Sequence, residues 1–258
     1  TPRTSSAASD VYKRQVHGEV VNVKHWTESL YSVFVSAPAV KFVAGQYTKL
    51  SLSLKNEEVA RPYSFVNSPD EELLEFYSVS VPNGPLSTAM QTLKKGDSIK
   101  VGPRGNGFLI LEEIPNVENI WMLATGTAIG PYLSILKTKN SWDKFKKVVL
   151  VHAVRYKKEL TYQDTINTLK EEYKDRFIYI TYVSREEAEY SLKGRIPKDI
   201  SNGILEEKAG LKMKPDNTHV MICGNPEMLK DTTVELKKIG LKKHRRNSPG
   251  HITTENYW

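Results

Sequence analysis

Four short and nearly uninterrupted apolar runs, residues 120–124, 148–154, 178–183 and 219–223, are separated by segments long enough to hold helices. A strand buried on both faces reads as a continuous apolar run, and its parallel neighbour is reached only through a crossover. The spacing therefore calls for a doubly wound α/β domain with a parallel sheet. Ligands of such sheets sit beyond the carboxyl ends of the strands, so the residues just after each run are where chemistry is to be sought.

Ahead of these runs the rhythm differs. Short β-rich stretches at 16–36, 49–54, 63–66, 74–81 and 98–101, with turn residues between them, read as an antiparallel β-barrel or sandwich with one helical stretch at 85–93. A polar, proline-containing connector at 112–118 marks the change of pattern. The expected limits are 16–114 for the barrel and 115–258 for the α/β domain, and a chain of 258 residues has room for two such cores. Residues 1–15, rich in Ser, Ala and Thr without alternation, are expected to be a disordered or extraneous leader, since they lack the apolar stretch of a secretory signal.

The formal net charge is +7, of which Arg3, Lys13 and Arg14 against Asp10 in the leader account for two. The remaining excess suits an acidic protein partner or a phosphorylated cofactor better than DNA, which would call for dense basic stripes with interleaved aromatics. Lys242, Lys243, His244, Arg245 and Arg246 form the one such cluster, readable as a solvated patch or as a docking face. The single cysteine, Cys223, excludes an internal disulfide framework and cannot ligate an iron-sulfur centre, which removes an iron-sulfur electron-transfer subunit and points to a reducing cytoplasm. No run reaches the roughly 18 apolar residues of a membrane span.

Several constellations suit nucleotide chemistry. The first strand of the α/β part ends in Ala124-Thr125-Gly126-Thr127-Ala128-Ile129-Gly130-Pro131 and leads into an apolar helix, a turn through which backbone amides can approach a pyrophosphate. The spacing is not the G-x-G-x-x-G fingerprint, and such a turn also arises for packing alone. Arg155, Arg185 and Arg195 follow later strand ends, where guanidinium forks suit a 2′-phosphate, or else they are solvated loop arginines. In the barrel part, Arg61-Pro62-Tyr63-Ser64 combines a cation, a rigid residue, a flat aromatic and a hydroxyl, the mixture a flavin asks for, although a plain alternating strand reads the same way. The terminal Tyr257 and Trp258 imply a docked end, received by a flat ligand or by protein surface.

Taken together and in order, Arg61-Pro62-Tyr63-Ser64, Gly84-Pro85-Leu86-Ser87-Thr88, residues 122–131, Cys223-Gly224-Asn225-Pro226-Glu227-Met228 and the Glu-x-Tyr-Trp end resemble the ferredoxin NADP reductase family, in particular its bacterial ferredoxin or flavodoxin branch. The resemblance runs from about residue 17 to residue 258. It implies a flavoenzyme that moves hydride between NADPH and FAD and single electrons between FAD and ferredoxin or flavodoxin. A free-flavin, quinone or siderophore reductase on the same scaffold is the alternative, and a nucleic-acid-binding barrel is the reading from another class.

The resemblance also assigns residues. It puts the flavin rings against Tyr63, the FAD pyrophosphate on Arg61 and on the Pro85-Leu86-Ser87 turn, the Ser64 hydroxyl near the flavin N5, and Tyr77 at a further FAD contact. Pro62 belongs to the same motif. Thr127 falls between the two cofactors, and Arg155, Arg185 and Arg195, with their neighbours Val154 and Ser184, match the 2′-phosphate contacts. Cys223 and Ser64 hold the nicotinamide at reacting distance, Gly224 and Asn225 are further cofactor-binding positions, Glu255 handles protons, and Tyr257 and Trp258 cover FAD. Ala124 and Ala128 stand where many relatives carry glycine, and Gly130 where they carry alanine, so a local change in the path of the turn is expected. No metal is implied, and a monomer is expected.

Overall fold

The computed structural model describes residues 15–256, which divide into two compact units after Gly107, ahead of the 114/115 limit read from the sequence. Most of the leader thus lies outside the described residues. Gln15 is described, and its side-chain amide donates to the Ser51 hydroxyl at 2.9 Å.

In the first unit, strands β1 (Val16–His25), β2 (Leu30–Ser36), β3 (Tyr47–Leu54), β4 (Glu57–Ser64), β5 (Leu74–Val79) and β6 (Ser98–Val101) form one antiparallel sheet in the order β4-β3-β6-β1-β2-β5. The chain just past β4 reaches β5 through a Phe65–Phe76 bridge and a hydrogen bond from Val66 N–H to the Glu75 carbonyl, so the two sheet edges curl towards each other as an incomplete barrel. Val20, Tyr31, Val33, Val35, Leu50, Phe65 and Phe76 fill the inside. Strand β4 begins well before the expected 63–66. Lys55 and Asn56 both take positive φ, 50° and 67°, and such a two-residue turn matches the twist of a hairpin, which recruits the unpromising Glu57 and Glu58 into the strand. Pro62 is tolerated because β4 is an edge strand, where a missing N–H costs no ladder bond.

Helix α1 (Pro85–Gln91) starts with proline in its first turn, where the absent N–H would have had no partner within the helix. The Ser87 hydroxyl accepts from Val81 N–H and donates to the Gly84 carbonyl, both at 3.2 Å, and so closes the turn that leads into α1.

The second unit has five parallel strands, β7 (Asn119–Thr125), β8 (Lys147–Val154), β9 (Phe177–Val183), β10 (Thr218–Gly224) and β11 (Ile252–Asn256), in the order β11-β10-β7-β8-β9. The doubly wound class expected from the sequence is borne out. The helices are α2 (Gly130–Leu136), α3 (Lys139–Lys144), α4 (Gln163–Tyr173), α5 (Ile196–Ser201), α6 (Ile204–Ala209) and α7 (Pro226–Lys238). Trp121, Leu123, Val149, Val151, Val220 and Ile222 make one face of the sheet and pack on Ile196, Ile200, Leu205, Leu229 and Leu236 of α5, α6 and α7. The first strand, β7, is central, with β8 on one side and β10 on the other, and this reversal opens a crevice at the carboxyl ends of β7 and β10.

Candidate active site

In the first unit the expected residues gather between β4, β5 and the start of α1. The hairpin register sets Thr48 opposite Tyr63 and Tyr47 opposite Ser64, and strand alternation then turns Arg61 and Tyr63 to one face and Pro62 and Ser64 to the other. Arg61 is exposed, donates to the Ala60 carbonyl at 2.7 Å, and pairs with no carboxylate among the described residues. Ser64 is buried as a residue, and no hydrogen bond of its hydroxyl is found among them. Burial pushes the phenols of both Tyr31 and Tyr63 above their ordinary pKa, and Ser78 of β5 opposes the rise at each. Tyr31 also donates to the Ser87 carbonyl at 2.5 Å, which ties β2 to the first turn of α1. Tyr77 is buried edge-on to Trp26, with ring centroids 6.5 Å apart.

A half-buried aromatic plane, an unpaired cation, a serine hydroxyl and the first amides of a helix are the groups that an FAD would need for its rings, its pyrophosphate and its polar ring edge. The residues of this unit fit that group.

In the second unit the crevice is built by a close approach of backbones. Gly224, at the end of β10, has φ of 138°, and a Cβ there would stand 2.0 Å from the Thr125 hydroxyl oxygen. That hydroxyl accepts the Asn225 N–H at 3.0 Å, and the Asn225 side chain in turn caps α7 by accepting from Glu227 N–H and Met228 N–H. Gly126 has φ of 55°, and the chain then makes a single 3-10 turn through Thr127 before entering α2.

Register sets Glu255, Cys223, Ala124, His152 and Thr181 in one rung across the carboxyl end of the sheet, with their side chains on the same face. Cys223 is fully buried, and burial followed by the nearby Glu255 carboxylate raises its thiol well above the usual value. Glu255 is half-buried as a residue, but its Oε1 is enclosed and has no partner among the described residues. Burial pushes its carboxyl up to about 7, against an opposing hydrogen bond from the Phe108 backbone. Burial lowers His152 to about 4, so the ring is neutral at ordinary pH. Its Nε2 lies 3.0 Å from the Gly126 carbonyl, while Nδ1 is enclosed without a partner among the described residues.

Past β8 and β9 the arginine loops meet. The Arg185 N–H donates to the Arg155 carbonyl at 2.9 Å, and Ser184 bonds the Val154 carbonyl through both its N–H and its hydroxyl. Glu159 accepts Arg155 N–H and Tyr156 N–H, which holds the first loop, and the Arg185 guanidinium lies 6.0 Å from the centre of the Tyr156 ring. Arg195 precedes α5 on a separate turn. All three arginines are exposed, and none is in an ion pair among the described residues. Together with the glycine-lined crevice, such free guanidiniums fit a phosphorylated dinucleotide.

Three contributors escape a reading by motif: Tyr31, Ser78 and His152. His152 was the one with a signal, a lone polar residue inside an otherwise apolar buried run. Tyr257 and Trp258 lie outside the described residues. The residues just ahead of them, read from sequence only as part of a docked end, form β11. In the basic cluster, Arg246 is held by a bidentate ion pair with Glu113 and covers the Phe108 ring at 4.2 Å, leaving Lys242, Lys243 and Arg245 without acidic partners among the described residues.

Residues 26–108 match the oxidoreductase FAD-binding domain family, and residues 122–233 match the oxidoreductase NAD-binding domain family. The chain is 50% identical over 244 residues to a flavodoxin/ferredoxin–NADP reductase of Escherichia coli (strain K12), covering 94% of this chain and 98% of that protein. It is 34% identical over 246 residues to a ferredoxin–NADP reductase of Pseudomonas aeruginosa, covering 92% and 95%. Among solved structures it is similar to a ferredoxin NADP+ reductase from Neisseria gonorrhoeae with bound FAD and NADP, with a TM-score of 0.90 at 33% identity over 95% of this chain and 99% of that one.

Proposed function

The chain belongs to the flavodoxin/ferredoxin–NADP reductase family, and we propose on that premise how its own residues serve the reaction. The enzyme is an FAD-dependent oxidoreductase that uses NADP. When bound, the flavin exchanges a hydride with NADPH and passes electrons singly to ferredoxin or flavodoxin.

In this reading Tyr63 supplies the stacking plane, Arg61 and the amides of Leu86 and Ser87 receive the FAD pyrophosphate, and the Ser64 hydroxyl bonds the ring edge. Tyr77 supports the same pocket from β5. Cys223 orients the nicotinamide in the crevice, with Gly224 and Asn225 as further coenzyme-binding positions where the absent side chain of Gly224 lets the backbone pass close to Thr125. Arg155, Arg185 and Arg195 take the 2′-phosphate, with Val154 and Ser184 holding the first two loops side by side. Glu255, poised near 7, exchanges a proton with the reacting pair at working pH.

The observation that carries the coenzyme reading is three exposed arginines at the strand ends with no acidic partner among the described residues. Replacing Arg155 or Arg195 by Ala should raise KM for NADPH by about tenfold, since a charge-assisted bond is lost, with a much smaller effect on NADH. Equal losses with both coenzymes would remove the 2′-phosphate assignment. For the acceptor, ferredoxin, flavodoxin and free riboflavin are to be compared by kcat/KM, and a clear preference for riboflavin would favour the free-flavin alternative.

Among the described residues no helix is long and apolar enough to cross a membrane. The setting proposed is a monomer in the cytoplasm, acting without nucleic acid, supported by a lone buried thiol and a modest basic excess.

A further inference from the structure

One buried polar side chain has no part in the reaction just described. His152 sits inside β8 among Val148, Val149, Leu150, Val151 and Val154, is wholly buried, and leaves Nδ1 without a partner among the described residues. An apolar residue would remove that unsatisfied nitrogen, so packing alone does not explain a histidine here. Its other nitrogen has a definite task. The Gly126 carbonyl can only accept, so Nε2, 3.0 Å away, carries the proton and donates.

The peptide that joins Gly126 to Thr127 is planar and trans, so its carbonyl and its N–H point in opposite directions. With the carbonyl drawn to His152 on the sheet, the Thr127 N–H is turned away from the sheet. This amide belongs to the first turn after β7, where N–H groups have no partner within the helix. Gly126 makes the orientation reachable, because its φ of 55° is left-handed. The same freedom leaves the peptide plane able to turn over, and glycine offers no side chain to stop it.

We propose that His152 is a positioning residue for the coenzyme: by donating from Nε2 to the Gly126 carbonyl, it holds the Thr127 N–H towards the dinucleotide pyrophosphate. The proposal rests on the reading of the Gly126–Thr127 turn as the pyrophosphate cradle. It concerns an amide pointed by a side chain one strand away, and it assigns His152 no contact with the coenzyme. Because the donor is a neutral imidazole, the carbonyl is held without adding charge to the crevice.

The test uses the oxidised, FAD-loaded enzyme and the variants His152→Leu, His152→Gln and His152→Asn. Gln carries an amide N–H near the position of Nε2, whereas the shorter Asn does not reach it. Calorimetric titration compares NADP+ with adenosine 2′-monophosphate, which offers the 2′-phosphate but no pyrophosphate. His152→Leu and His152→Asn should bind NADP+ about tenfold more weakly while His152→Gln stays within about threefold of the parent, the size of effect expected when a hydrogen bond to a charged group is lost or kept. Adenosine 2′-monophosphate should bind all four proteins alike, and the melting temperatures should not follow the order of NADP+ affinities.

Equal NADP+ binding by the Gln and Asn variants, or an equal loss for both ligands, would overturn the proposal. The cradle reading is checked separately in the parent enzyme by amide NMR. If NADP+ leaves the Thr127 amide signal unmoved, the cradle reading fails. If the signal moves and His152→Leu still binds NADP+ as the parent does, the positioning role alone fails.

Discussion

Glu255 carries its two carboxylate oxygens in different surroundings, and this makes the residue sensitive to pH in a defined direction. Its carboxyl ionises at 4.5 ordinarily and is pushed up to about 7 by burial, so the folded chain binds the proton more tightly than the unfolded one. The contribution to stability is complete below 4.5 and is lost as pH rises through about 7. Glu255→Gln cannot ionise, so its melting temperature should gain on the parent as pH rises across that window. A difference that does not change with pH would place the carboxyl in water. His152 and His219 act with the opposite sign. Both are lowered from 6.5, to about 4 and about 3, and their contribution is present above 6.5 and fades as pH falls towards those values. At this scale the sequence was informative where a motif is short and contiguous, as in Arg61 to Ser64. It was uninformative for Ser78 and Tyr31, which act through a partner from another strand.

At the scale of elements, the coenzyme crevice depends on how closely β10 can pass β7. Gly224→Ala adds a Cβ into the Thr125 hydroxyl and forces a left-handed φ on a residue with a side chain. A cost of about 1–3 kcal/mol from backbone strain alone is expected, with loss of NADP+ binding and retention of FAD, read by thermal unfolding and by flavin absorbance. Asn225→Ala removes the cap of α7 and should cost about 1 kcal/mol without that steric clash, which separates helix capping from closure of the crevice. The strands β7 to β10 were legible because a strand covered on both sides must be apolar throughout. Strand β11 was not, since Thr253, Thr254, Glu255 and Asn256 carry no apolar pattern and the strand exists through its ladder with β10. Strand β4 was shortened in the sequence reading for a related reason: its first half is held by the turn at Lys55 and Asn56 and not by propensity.

Across the molecule, the basic excess is spread so that Lys242, Lys243 and Arg245 have no acidic partner among the described residues while Arg246 is neutralised by Glu113. Steering of an acidic carrier by these charges acts on association and weakens as salt shortens the reach of the field to about 10 Å at 0.1 M. Reduction of ferredoxin or flavodoxin should therefore slow with ionic strength more than reduction of ferricyanide does. Arg246→Ala should alter this salt dependence less than Lys243→Ala, and the reverse order would mean that the Glu113 pair opens when the carrier docks.

The hydrogen bond from Asn225 N–H to the Thr125 hydroxyl joins residues 100 positions apart, and it has a consequence for folding kinetics. A loop of that length must close before any contact across the crevice repays its entropy, so β10 is expected to join β7 late. During refolding, recovery of NADP+ affinity should lag behind quenching of flavin fluorescence, because the Tyr63 hairpin closes through a two-residue turn and the crevice does not. A chain caught in that interval would hold a flavin it cannot reduce.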